Sequence, residues 1–351
     1  MNSLLVTSTD EGTGKTAVAL ALARLAADRG ATVGYMKPKG TRLRSNVGKT
    51  VDADPMLARE LLDLDAEMHQ MEPVVYSPTF IAGAIRGEED VPALRDRVRD
   101  AYAGLAEGAD VMVVEGAGDP ATGATVDLTD ADLAELLDAR AVLVARYEEP
   151  GDVDRILAAA DGLGDRCLGV VFNAVSSAAY DDVETDVVPF LESRDIPVLG
   201  VLPWERSMAG VSVADLTTEL GAESLTDADT SALVERVLVG AMSGESALSH
   251  FRRTKDAAVI TGGDRADVQA AALDAPGINC LVLTGGPRPS GAILGEAEQQ
   301  GMPVLTVQAD TITTIERIES LIHGGRVRDE ATVETMQELL HAHADVDALL
   351  D

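Results

Sequence analysis

Aromatic side chains are scarce: one Trp, five Tyr and four Phe make up 3% of 351 residues. Lysine is scarce too, occurring only as Lys15, Lys37, Lys39, Lys49 and Lys255, so Arg supplies most of the 28 positive charges set against 60 Asp and Glu. The resulting formal charge of −32 argues against nucleic acid and membrane partners, because phosphate backbones and acidic lipids are repelled by it. Cysteine is limited to Cys167 and Cys280, far apart and each in an apolar run, which reads as two buried small hydrophobes rather than a disulfide or a metal site. No apolar stretch reaches the roughly 18 residues that a membrane helix needs. The start, Met1 to Thr7, lacks the basic region and length of a signal peptide, so a soluble cytoplasmic protein is expected.

What is present builds a folded chain. Hydrophobic residues make up 46% of it and recur in ordered periods, which excludes disorder. A surface rich in Asp and Glu and poor in Lys fits a salt-rich cytosol, a halophilic trait, since strong screening makes dense negative charge tolerable. Against that background four of the five lysines fall between positions 15 and 49, and lysines retained there point to function.

Strand-like runs alternate with amphipathic helices. Ser3 to Thr7 reads as a strand, Lys15 to Arg29 as a helix closed by Gly30, Ala31 to Met36 as a strand and Asp110 to Val114 as a strongly apolar one. The alternation runs on to Val198–Leu202, which predicts an α/β fold with a mostly parallel sheet and helices on both faces. Val213 to Ser243 reads as mostly helical. A second, smaller α/β pattern follows, with strands at Ala257–Thr261, Asn279–Leu283 and Val304–Val307. Asp329 to Leu350 is an acidic amphipathic helix. The expected domains are 1–207 and 208–351, the terminal helix belonging to the second.

The strongest signal is Ser8-Thr9-Asp10-Glu11-Gly12-Thr13-Gly14-Lys15-Thr16, between a strand and a helix. Backbone amides of such a loop, with the positive end of a helix behind them, make a cradle for a polyphosphate. Gly12 and Gly14 let the main chain approach, Lys15 reaches the β and γ phosphates, and the Thr16 hydroxyl faces Mg²⁺. The strict pattern wants glycine where Thr9 stands, but strand, loop and helix supply the context. Thr9 through Thr16, with Ala17, are the expected contacts of an ATP cofactor. Glu115 ends an apolar strand before Gly116-Ala117-Gly118, placing a carboxylate at the sheet's ligand-binding rim, suited to Mg²⁺. Asp54 and Asp52 are weaker candidates, since Asp before Pro55 is commonly a helix cap. Lys37 closes the second strand at the same rim, where an ammonium stabilises a transferring phosphoryl group.

Val6 to Thr16, Tyr35-Met-Lys-Pro38, Asp54, Val114-Glu-Gly-Ala-Gly118, Phe172-Asn173 and Leu199-Gly-Val-Leu-Pro203 stand in the order and spacing of dethiobiotin synthetase, which residues 1 to 205 resemble. That resemblance implies that Lys15 and Lys37 touch phosphates or the acceptor, that Thr16, Asp54 and Glu115 hold Mg²⁺, that Asn173 reads the base, and that the protein is a homodimer. Taken alone, Asn173 reads equally as a turn residue. The chain departs from the family at Ser8, where a glycine opens the loop, and at Tyr147-Glu-Glu-Pro150, where a small segment is usual. Position 10 is Asp, not the second lysine of MinD-like ATPases, so trans-activation through that lysine is not expected.

The second half resembles a DRTGG domain, carried by Thr261-Gly-Gly-Asp-Arg265, Leu283-Thr-Gly-Gly286 and Asp310-Thr311. The same pairing forms the N-terminal half of long phosphotransacetylases, and acetyl transfer is not expected of these 351 residues. Gly262-Gly263 and Gly285-Gly286 read either as a second anion nest with Arg265 as donor or as tight turns. The favoured function is a Mg²⁺-ATP-binding regulator or sensor with slow ATPase activity, its DRTGG half meeting an unidentified small molecule or protein. The alternative is an ATP-dependent ligase or kinase for a small carboxylated or carbamylated substrate.

Overall fold

Three runs that are apolar from end to end, Leu4 to Val6, Val111 to Val114 and Ala141 to Ala145, become the neighbouring strands at the centre of the larger sheet. Strands covered on both faces need no polar side, which is why these runs do not alternate. The computed structural model describes residues 1–351 except 42, 47, 48, 206, 207, 209, 324–329 and 351; for 43–46, 49–51, 320 and 323 it describes the backbone alone.

The chain divides into two units, Met1–Glu205 with Arg326–Asp351, and Arg206–Gly325. The first carries six strands: β1 (Asn2–Ser8), β2 (Val33–Met36), β3 (Val111–Glu115), β4 (Arg140–Ala145), β5 (Cys167–Val175) and β6 (Val198–Pro203). All are parallel, in the order β6-β5-β4-β1-β3-β2. The expected α/β class is therefore the observed one. The chain leaves β1 toward one edge and, after β3, crosses β1 toward the other, so the loops after β1 and β3 open at the point where ligands bind in such sheets. One face is closed by Leu94, Val98 and Tyr102 of α3 (Val91–Ala106) and Leu133 of α4 (Asp130–Leu136). On the β4–β5 side Ile156 of α5 (Asp152–Leu163) and Leu191 complete the core.

Helix α1 (Lys15–Asp28) is buried all round, from Lys15 through Ala23. An all-apolar helix needs cover on its outer side as well, and the C-terminal helix supplies it. The sequence pattern assigns residues 330–350 to the second domain; in the structure they pack on the first as two helices, 330–343 and Val346–Leu350. Val333, Met336 and Leu340 are fully buried, Arg24 pairs with Glu330 at 2.9 Å, and Gln337 donates to Asp28 at 3.0 Å. Asp345 N–H donates to Leu199 C=O at 2.7 Å and Asn2 to Leu350 C=O at 2.8 Å, tying the chain end to the sheet. Asp329 lies outside the described residues, as do positions 206 and 207 at the expected junction.

The second unit has a five-stranded sheet. Its strands are β7 (Glu223–Ser224), β8 (Arg236–Val239), β9 (Ala257–Gly262), β10 (Ile278–Thr284) and β11 (Val304–Thr306), in the order β7-β11-β10-β9-β8, parallel except for β7. Only Val213–Leu220 of the 213–243 segment is helical. Val234 and Val237 sit in extended chain because burial against β9 and β10 outweighs a helical reading of the same apolar spacing. Cys167 and Cys280 are free thiols; burial pushes Cys280 up to about 12, as for a small core hydrophobe.

Candidate functional site

The loop after β1 turns on Gly12 and Gly14, with φ of 73° and 88°, the left-handed region that glycine enters without strain. At Gly14 contact enforces the choice as well, since a Cβ would lie 2.3 Å from Asn173 Nδ2. Helix α1 starts at Lys15, so its free N–H groups face the loop.

Five candidates from the sequence meet in one buried network. Lys15 Nζ donates to the Ala117 carbonyl and, at 3.1 Å, to Ser8 Oγ. The Thr16 hydroxyl donates to Glu115 Oε1 at 2.7 Å, and the other Glu115 oxygen accepts from the Tyr35 hydroxyl at 2.6 Å. Lys37 Nζ contacts Asp54, lies 3.1 Å from Asp52 and stands 3.7 Å from Glu115. Burial works against the Lys37 ammonium, but Asp54, Glu115 and Asp52 outweigh it and hold it protonated beyond the ordinary lysine range. Burial likewise raises the Glu115 carboxyl, with Lys37 opposing and Asp54 adding. Asp52 is also the cap of α2 (Ala53–Leu61), accepting from Asp54 N–H at 2.9 Å, so cap and site readings hold together.

The donor set suits Mg²⁺. Asp54 and Glu115 place two carboxylates around one positive centre, the Lys37 ammonium, and the Thr16 hydroxyl bonds Glu115 beside them. Among the described residues no group of three or more Asp, Glu, His or Cys is placed to hold a metal. A set this small matches an ion that keeps water and phosphate oxygens in its shell.

Asn173 takes an unexpected partner. Its Nδ2 donates to the Thr13 carbonyl at 2.7 Å, so it braces the loop's own backbone, and Ala174 after it is left-handed at φ 56°. Thr9, Asp10, Glu11 and Thr13 line a cavity of about 520 Å³ with Arg146, Glu148, Glu149, Asp152 and Arg155. Gly12 and Ala17 are buried; Ala17 belongs to the first turn of α1.

Sequence reasoning missed a second buried pair. Lys39 Nζ donates to Asp130 at 3.0 Å and to the Thr122 and Leu128 carbonyls, both at 2.6 Å, and both charged side chains are fully buried. Asp130 also accepts from Thr7 Oγ1 at 2.6 Å and from Ala117 N–H at 3.3 Å. The one sequence signal was a retained lysine in a chain poor in lysine.

Glu72 was missed too. It is buried, with Oε2 accepting from Asp52 N–H at 2.7 Å and Oε1 lacking a hydrogen-bond partner. Burial pushes its carboxyl up to about 7, and the Asp52 charge adds to the rise. The folded protein therefore holds this proton more tightly than the unfolded chain, whose carboxyl titrates near 4.5. Its contribution to stability is full below about 4.5 and is lost as pH rises through about 7. Glu72→Gln should flatten the melting-temperature profile between about pH 5 and 8; a variant profile parallel to wild type would refute this.

At the rim of the second sheet, Gly285 and Gly286 are left-handed, and a Cβ on Gly263 would fall 1.8 Å from the Pro287 carbonyl, so the two loops pack as tight turns. Arg265 donates to Met242 C=O at 2.6 Å and pairs with Asp267 at 3.3 Å. That spends its guanidinium locally and leaves the turn reading the better supported one.

Comparison with known proteins matches residues 2–212 to the AAA domain family AAA_26 and residues 215–321 to the DRTGG domain. The phosphate acetyltransferase of Pseudomonas putida is 27% identical over 366 residues, covering 98% of this chain and 51% of its own length. The chain thus spans about half the length of the phosphate acetyltransferases it matches first. The ATP-dependent dethiobiotin synthetase of Methanococcus vannielii is 30% identical over 210 residues, covering 57% of this chain and 92% of that protein. Among solved structures, a ParA family ATPase from Chlorobium tepidum aligns at a TM-score of 0.38 and 15% identity, over 59% of this chain and 86% of that one.

Proposed function

Because this chain belongs to the AAA_26 family, with a DRTGG domain following in sequence, we propose that it binds Mg²⁺-ATP and serves as a regulator or sensor, hydrolysing the nucleotide slowly. The observation that carries this reading is the meeting of Lys15, Thr16, Lys37, Asp54 and Glu115 at the carboxyl ends of β1, β2 and β3. In it Lys15 and the loop amides hold the β and γ phosphates, and Thr16, Asp54 and Glu115 hold the ion. With Asp54 and Glu115 engaged by such an ion, the Lys37 ammonium would be available to the γ-phosphate. Asn173 holds the loop in register and has a second N–H and its carbonyl to offer the base. When bound, Mg²⁺ neutralises phosphate charge.

The regulatory role draws on the second unit, which lies outside the 57% of the chain that the dethiobiotin synthetase covers. What that unit recognises, small molecule or protein, is best approached by identifying what co-purifies with the chain. A homodimer is proposed from the family likeness. Among the described residues no helix is long and apolar enough to cross a membrane.

A second reading, an ATP-dependent ligase or kinase for a small carboxylated or carbamylated substrate, is favoured by Lys37 together with the Mg²⁺ set of Thr16, Asp54 and Glu115. Calorimetric titration with ATP, with and without Mg²⁺, tests the first reading, which requires Mg²⁺-dependent binding. Rapid ring closure from diaminopelargonate, bicarbonate and ATP would replace it with the second.

A further inference from the structure

The cavity beside the loop contains polar groups that the network around Lys37 does not use. Most of its charge is settled internally. Asp152 accepts from the N–H groups of Glu148 and Glu149 at 2.8 and 3.1 Å, and Asp10 pairs with Arg155 at 2.7 Å. Glu11 lies against Gly118, where a Cβ would come 2.5 Å from its Cγ. Glu148 and Glu149 are exposed.

Two donors are left over. The Thr13 hydroxyl, on a residue 2% exposed, and Arg146 Nε are both buried and lack a hydrogen-bond partner. Arg146 is the first residue past β4, and β4 runs beside β1, with Thr9 N–H donating to Val144 C=O at 3.2 Å. Both donors therefore stand at the wall of the phosphate loop. A buried donor left unmet is costly, and two at one cavity share an explanation in a ligand rich in acceptor oxygens. Among the described residues lining the cavity, Arg146 is the cation without a carboxylate partner.

We propose that Arg146 and Thr13 form a second phosphate contact, the guanidinium and hydroxyl bonding the terminal phosphoryl oxygens of a nucleoside triphosphate held in the 8–16 loop. The proposal rests on the nucleotide reading above and deepens it. A planar guanidinium suits a phosphoryl group, which it meets with two parallel N–H donors. Contacts confined to the terminal phosphoryl group favour ATP over ADP, which lacks that group.

The test is the ratio of ATP to ADP affinity in Mg²⁺, measured by calorimetry on wild type, Arg146→Gln and Thr13→Val. Arg146→Gln should weaken ATP about tenfold or more and ADP by less than about threefold, the scale of one lost charge-assisted bond. Thr13→Val, which keeps the side chain's shape, should move the ratio the same way by less, and decides the matter if Arg146→Gln does not fold. Both nucleotides weakened alike, or a ratio unchanged in Thr13→Val and in a folded Arg146→Gln, overturns the proposal alone. Wild type that binds neither nucleotide overturns the nucleotide reading and this proposal together.

Discussion

Replacing Lys15 with Ala is expected to weaken ATP binding at least about 100-fold, the effect of losing roughly 3 kcal/mol of charge-assisted bonding to phosphate. Lys15 is 8% exposed and its ammonium rests on the Ala117 carbonyl and the Ser8 hydroxyl. Those two oxygens hold the ammonium beside the loop, a short way from where a phosphate would lie. Ser8, where the related loops open with glycine, supplies one of those contacts. Calorimetric titration in Mg²⁺ checks the expectation. Affinity equal to wild type would mean that the loop after β1 is no phosphate cradle.

Lys39→Met should lower stability by about 3–5 kcal/mol, because it leaves the Asp130 carboxylate charged, buried and without its counter-ion. In a unit of this size that corresponds to a fall of roughly 10 °C in melting temperature. The pair is fully buried. Asp130 also presses on Gly116, where a Cβ would come 2.1 Å from its oxygen, and accepts from Ala117 N–H, so the loss spreads to the turn that carries the Lys15 acceptor. The combined variant Lys39→Met with Asp130→Asn removes the stranded charge and should be more stable than Lys39→Met alone. Calorimetric melting of the three proteins decides it; a double variant no better than the single one would show that the pair is not coupled.

The three buried lysines differ in how far the sequence could reveal them. Lys15 and Thr16 sit inside one contiguous motif, and Glu115 ends an apolar strand before small residues, so local pattern and strand direction place them. Lys37 and Asp54 are 17 positions apart and were readable because each ends or starts an element at the same rim. Lys39 and Asp130 are 91 positions apart, and nothing periodic joins them. Arg146 escaped for the same reason, since its significance lies in what its Nε fails to meet. The parallel core was legible because a strand covered on two faces leaves an unbroken apolar run. The 213–243 segment was not, because Val234 and Val237 suit either period until neighbouring strands decide. The stripe at Val333, Met336 and Leu340 announced that something must be covered without naming α1 as its target.

That last destination governs how the protein can be taken apart. The polypeptide leaves the first unit at Glu205 and re-enters it at Arg326, so the DRTGG half is spliced into its neighbour rather than appended to it. A fragment cut at the apparent junction would shed the terminal helices and present the outer face of α1 to water, inviting aggregation. The faithful minimal version joins 1–205 to 326–351 through a short flexible bridge, and the excised middle is expressed separately as one piece.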